Sequence, residues 1–359
     1  MKRRLWLDRC VRSQQRKTLR VAGYEKSFGG KRTSRLPIYI ATVPRLLIAE
    51  KQEQREQILA VIDSIRSRLG EGGRVKVDFS KVEKIFPGGM LLLLAALERL
   101  ADSHKGRLWA RCPPNSLPAQ LLSHFGLSAK LRVNAMLSRP TSEKVVTWQY
   151  LTGTQAAGEE VHELLNGYRS NTQAQIPDGL FAVLTEGLTN VRHHAYTGTD
   201  NVDEASKRWW LFARLDEPVA GKDGSLFVAI YDMGVGISTT MRRKLNKGEV
   251  ILKIADKVVD HISASALKGN ALEKALLFSA VEHKRSQTGQ PHRGNGLPEM
   301  REFAESTPGG RLHIVSGSAQ YSFVPGAVQG QTNGFKVEFP GTLLLWSLPL
   351  KAKYGDGYE

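Results

Sequence analysis

Cysteine is almost absent from this sequence: Cys10 and Cys112 are the only two in 359 residues. One of them lies in an irregular basic segment, which excludes a disulfide framework and a cysteine-built metal site. Long apolar runs are missing as well. The longest, Met90 to Ala96, is about a third of the ~18–20 residues that cross a bilayer, so no transmembrane segment is expected. The N-terminus MKRRLWLDRC has neither an apolar stretch behind it nor a small-residue cleavage site, which predicts a cytoplasmic rather than a secreted protein. Acids are scarce in one place above all. Between Met1 and Arg35 only Asp8 and Glu25 stand against a dozen Lys and Arg. This arm, residues 1–35, also lacks hydrophobic periodicity, and Trp6 and Tyr24 are too sparse for a base-stacking platform. It suits either a solvated tail or an electrostatic hand for nucleic acid, an acidic partner or an anionic membrane face.

What is present is ordinary for a globular protein: 41% hydrophobic and 24% charged residues, with a formal net charge of +16. The length predicts two domains. From Pro37 the punctuation becomes regular. Ile38 to Ala41 is a short apolar strand, and Ile58, Ile62, Ile65 and Leu69 fall on one stripe of a helix that Gly70 should close as its C′ residue. Val75 to Phe79 alternates as a strand, Pro87-Gly88-Gly89 predicts a turn, Met90 to Ala101 an apolar helix closed by Gly106, and Arg107 to Arg111 a further strand. Such alternation predicts a small sheet with helices packed on one face.

The stretch VKVDFSKVEKIFPGGMLLLLAALERL resembles a STAS domain, the anti-sigma-antagonist and sulfate-transporter module, over about residues 36–132. Phosphorylatable members carry an acidic residue and a serine in the loop before the long helix. Here that place reads Phe86-Pro87-Gly88-Gly89, with no hydroxyl to accept phosphate, so the resemblance implies a docking or dimer surface rather than a phosphorylation switch. Residues 133–144, containing Ser138-Arg139-Pro140, suit a linker. Val145 to Leu151 then suits a first strand of a second domain and Glu159 to Tyr168 its first helix. Residues 351–359 form a C-terminal tail.

Three glycine- and acid-bearing segments carry the chemistry. In the helical segment LFAVLTEGLTNVRHHA, Leu180, Leu184, Leu188 and Val191 share one arc, and Glu186 and Asn190 lie one turn apart on the other. A carboxylate there can orient or deprotonate a nucleophile, and an amide oxygen can ligate Mg²⁺. In FVAIYDMGVGI, an apolar strand delivers Asp232 into a Gly-X-Gly turn. The acid precedes the glycines and the third glycine is missing, which excludes a Rossmann fingerprint. Arg293-Gly294-Asn295-Gly296-Leu297 opens a helix running to Ala304, and amides at such an N-terminus suit phosphate. Gly309-Gly310 then precedes the strand Arg311 to Ser316, and Gly341-Thr342 the strand Leu343 to Leu348. The pair His193-His194 does not suit zinc, because adjacent residues on a helix point apart.

In this order the segments resemble the N box, two glycine boxes and closing Gly-Thr strand of the GHKL ATPases (gyrase, heat-shock 90, histidine kinase, MutL) over roughly residues 145–350. The resemblance implies an α/β (α+β) chain, with a STAS-like domain followed by a Bergerat-fold sandwich of helices on a mixed sheet that binds ATP and Mg²⁺. On that template Asp232 receives adenine, Asn190 binds Mg²⁺, Glu186 polarises the attacking group, and Gly234, Gly236, Ile237, Gly294, Asn295, Gly296 and Leu297 line base and phosphates. His194 and Arg293 are phosphate candidates, and Thr342 supports Asp232. The interval from Ile237 to Arg293, with a helix over Ala271 to Glu282, implies an enlarged lid. No helical hairpin with a phosphoacceptor histidine precedes the site, so the resemblance points to a regulatory protein kinase of the anti-sigma-factor type acting on a protein partner. The alternative is a conformational ATPase of the gyrase or MutL class that dimerises with ATP. In that case the basic arm would grip protein or nucleic acid.

Overall fold

The computed structural model describes residues 37–133, 145, 147–155, 158–172, 174–196, 207–219, 222–246, 252–254, 257–259, 269–282 and 296–352. Residues 1–35 of the expected arm, 134–144 of the linker expected over 133–144 and 353–359 of the tail expected over 351–359 lie outside them. The chain is a mixed α+β protein whose contacts separate two units, Met1–Tyr150 and Leu151–Glu359. Among the described residues no helix is long and apolar enough to cross a membrane.

The first unit holds β1 (Ile38–Thr42), β2 (Leu46–Leu47), α1 (Gln52–Gly70), β3 (Arg74–Asp78), β4 (Lys84–Ile85), α2 (Pro87–Ser103), β5 (Leu108–Arg111) and α3 (Leu117–His124). Strands β1, β3 and β5 form a parallel sheet in that order, and β2 pairs with β4 in a separate parallel ribbon. The stripe on α1 is the core face: Ile58, Ile62, Ile65 and Leu69 are all buried, and α1 packs on β1, β3 and α2. Two local expectations change. Gly70 is the last helical residue, and the left-handed position falls to Gly72, with φ +86°. Pro87-Gly88-Gly89 is not a turn but the first turn of α2. A proline there has its φ already near the helical value, and the N–H it lacks is one the first turn leaves unpaired.

The second unit contains β6 (Trp148–Gly153, which spans the division), α4 (Gly158–Asn171), α5 (Leu180–Asn190), a π-helical turn (Val191–Ala195), β7 (Trp209–Asp216), β8 (Gly224–Asp232), α6 (Ile237–Asn246), β9 (Leu252–Ile254), β10 (Lys257–Val259), α7 (Asn270–Glu282), α8 (Gly296–Ser306), β11 (Arg311–Phe323) and β12 (Gln331–Leu350). Five strands form one sheet in the order β11-β12-β8-β7-β6, with β11, β12, β8 and β7 each antiparallel to the next. Helix α5 lies on β8 with Leu180, Leu184 and Leu188 fully buried, α8 packs on α5, and α7 covers β11 and β12. The short strands expected at Arg311–Ser316 and Leu343–Leu348 are the inner parts of one long hairpin. It continues outward past register shifts at Ser316/Gly317 and Gly317/Ala319, so Gly341 and Thr342 lie inside β12 rather than ahead of it.

Candidate functional site

The site begins where β8 ends. Asp232 stands opposite Thr342 of β12 on one side and Trp209 of β7 on the other, at the last register position of β8. The turn that follows folds back, so the Gly234 N–H donates to Asp232 Oδ1 at 2.7 Å. The backbone of Thr342 adds a second bond to the carboxylate. These bonds do not offset burial, which pushes the Asp232 carboxyl up to about 7. The close approach depends on Gly341, which has φ +84° and on which a Cβ would lie 1.9 Å from the Asp232 carbonyl oxygen. Ser316 of β11 ties these pieces together. Its fully buried hydroxyl accepts the Ile237 N–H at 2.8 Å, donates to the Gly341 carbonyl at 3.1 Å and lies 3.2 Å from Thr342 Oγ1. One side chain thus links the turn after β8, the start of α6 and the middle of β12.

A second wall of the site is built by α5 and α8. Helix α5 ends at Asn190 and the backbone widens into the π-helical turn, a feature common at functional sites. The Ala195 carbonyl at its end accepts the Val235 N–H at 2.6 Å, which seats the turn against the glycine box after β8. Gly296, the first residue of α8, meets α5 so closely that a Cβ on it would lie 2.2 Å from Glu186 Oε1 and 2.8 Å from Asn190 Nδ2. Only glycine lets the start of α8 reach these two side chains. The Glu186 carboxyl is raised above its ordinary range by burial and by the nearby Glu299, with His193 opposing. Among the described residues Asn190 Nδ2 is buried without a hydrogen-bond partner, an omission costly enough to point to a ligand.

Between these walls lies an open cleft. Asn190, Asp232, Gly236, Ile237, Gly296, Leu297 and Thr342 all line it. Glu186 stands beside it, against Gly296. Gly234 does not line the cleft but packs on Ala195. The backbone of His194 is in the π-helical turn, and its side chain lies outside the described features, as do Arg293, Gly294 and Asn295. Of the long interval expected to form a lid, α6, β9, β10 and α7 are described.

Sequence reasoning missed Ser316 and the wall supplied by α6. Thr240, Met241 and Lys244 line the cleft alongside Ile237. Their spacing of three, four and seven residues from Ile237 was a legible signal for one helical face. No sequence signal marked Ser316, whose role arises from strand pairing. Among the described residues no group of three or more His, Cys, Asp or Glu is gathered as a metal site. Beside the start of α8 the Glu186 carboxylate and the Asn190 amide can serve as oxygen donors. Turning that amide by half a rotation would put Oδ1 where Nδ2 now lacks a partner. This set suits Mg²⁺, which needs few protein ligands when phosphates and water complete its shell. No protein-family model, curated protein or solved structure matches this chain.

Proposed function

We propose that the second unit is a GHKL-type domain of the Bergerat fold that binds ATP with Mg²⁺. We further propose that the first unit is a STAS-like module and that the chain is a regulatory protein kinase acting on a protein partner. The observation that carries the reading is the polarity of the cleft. A buried carboxylate, Asp232, lines the cleft, and a carboxylate–carboxamide pair meets a helix N-terminus beside it. Together these groups suit a molecule that carries both an amine-bearing base and phosphates. Val191, Ile230, Met241 and Leu344 supply apolar walls.

In this reading Asp232 accepts the exocyclic amine of adenine, with Ser316 and Thr342 holding the acceptor in place. Asn190 would hold the metal, which when bound neutralises charge on the phosphates. The amides at the start of α8 bind phosphate oxygens. Glu186 acts on the nucleophile. A hydroxyl oxygen of the partner attacks the γ-phosphorus, its proton passes to the Glu186 carboxylate, and the bond to the bridging oxygen breaks to release ADP. Burial and the nearby Glu299 raise the Glu186 carboxyl, which strengthens it as a proton acceptor. It also favours a second reading, a conformational ATPase, because the same carboxylate would activate water.

Titration of the full chain with ATP and GTP tests the base assignment: ATP binds and GTP binds poorly, and equal affinity for the two removes it. Incubation with γ-labelled ATP and candidate partner proteins separates the two chemistries. Labelled protein supports the kinase, and free phosphate without labelled protein supports the ATPase.

A further inference from the structure

Among the described residues the three-stranded sheet of the first unit has one covered face and one open face. Its strands are all parallel, an arrangement found almost only where both faces are buried. On the covered face Ala41, Val75, Val77, Leu108 and Ala110 are buried, and α1 packs there. The register sets the other face as rows of neighbours: Ile38 beside Arg74, Ile40 beside Lys76 and Trp109, and Thr42 beside Asp78 and Arg111. Ile38 is 54% exposed and Ile40 53%. The Arg74 guanidinium lies 4.9 Å above the Trp109 ring. The face therefore combines exposed isoleucines with Arg74, Lys76 and Arg111, and Asp78, 3.8 Å from Arg111, is the acid in these rows.

We infer that this open face is a docking surface for an acidic, amphipathic helical segment of a protein partner. Charge complementarity selects that occupant. The chain's own arm, with a dozen Lys and Arg against two acids over residues 1–35, carries the same sign as the face, and so does a second copy of the face itself. Single-stranded nucleic acid binds through stacked aromatics, whereas here Trp109 is the aromatic in these rows and Arg74 already covers its ring. Isoleucines offer a base nothing to stack on. The dimensions suit a helix. Three strands spaced ~4.8 Å apart and rising ~3.3 Å per residue make a platform about 10 Å wide and 15 Å long, which matches the diameter and nearly three turns of an α-helix. Such a helix would complete the second layer that a parallel sheet ordinarily has, with its apolar stripe on Ile38 and Ile40 and its acids over Lys76 and Arg111.

The test uses the full chain and a fluorescein-labelled peptide of about 14 residues, roughly four helical turns. Leucines occupy i, i+3, i+4 and i+7 positions and glutamates the remainder. Anisotropy should show saturable binding that weakens with salt, about tenfold for Ile40→Ser and about fivefold for Lys76→Glu. A matched peptide with lysine for glutamate should not bind. Both substitutions are on an open face and should leave the thermal unfolding midpoint unchanged, so that loss of binding is not loss of fold. Amide exchange should slow over residues 38–42 and 74–78 when the Leu/Glu peptide is added. The inference is overturned by no binding up to ~1 mM peptide, by equal affinity of both variants and wild type, or by protection confined to other segments. Tighter binding of oligothymidine or of anionic lipid vesicles to the same face would also overturn it, assigning the face to nucleic acid or to a membrane.

Discussion

The Asp232 carboxyl makes ATP affinity depend on pH in a direction the structure specifies. Burial raises it from 3.8 to about 7, so ionising it inside the fold costs roughly 4 kcal/mol more than in the unfolded chain. For a group whose folded pKa lies above its unfolded one, the stabilising contribution is fully present below pH ~3.8 and is lost as pH rises through about 7. An adenine amine needs an acceptor, so nucleotide selects the ionised form and must bear the work of removing the proton at low pH. With a folded pKa near 7, about one-tenth of the protein is ionised at pH ~6 and nine-tenths at pH ~8, and affinity falls about tenfold between them. Asp232→Asn removes this titration. It also presents a donor to a donor, which weakens ATP by about 1–3 kcal/mol. In compensation the ligand-free variant should melt higher than wild type above neutrality and show no such gain at pH ~4. Isothermal titration calorimetry across this pH range measures the affinities, and running both proteins matters because the nucleotide's own phosphate titrates near pH ~6. Identical pH slopes in the two proteins, or equal affinity for ATP at pH ~8, would refute the assignment of Asp232 as the buried acceptor.

Glu186→Ala should keep Mg-ATP binding within about twofold while lowering turnover by ~10²-fold or more, since the carboxylate acts on the nucleophile. Asn190→Ala should instead lose the magnesium dependence of binding, and paired calorimetry and single-turnover assays distinguish the two. Gly296→Ala places a methyl 2.2 Å from Glu186 Oε1. It should shift α8 away from α5, weaken ATP by about 1–3 kcal/mol and cost a similar amount of stability, measured by titration and by chemical denaturation. Wild-type affinity in this variant would show that the start of α8 does not bind phosphate.

The amino-acid pattern by itself determined most of the helices and several of the strands, but not α3 or α6, because hydrophobic periodicity records which face of a segment is buried. The arc of Leu180, Leu184, Leu188 and Val191 and the stripe of Ile58, Ile62, Ile65 and Leu69 are both core faces in the structure. The same pattern singled out Glu186, Asn190, Asp232, Gly296 and Thr342 as residues with chemistry. It did not place Pro87 inside a helix or extend the β11–β12 hairpin, since a proline or glycine suits a turn, a helix start and a bulge alike until neighbours choose among them. Only the tertiary structure set Asp232 opposite Thr342 and brought the first residue of α8 against Glu186 and Asn190. It alone made Ser316 the common partner of Ile237, Gly341 and Thr342 and left Ile38 and Ile40 on an open sheet face. Strand order and register determine these meetings. They are settled by the packing of segments far apart in the chain, and no local period of two or 3.6 residues carries that information.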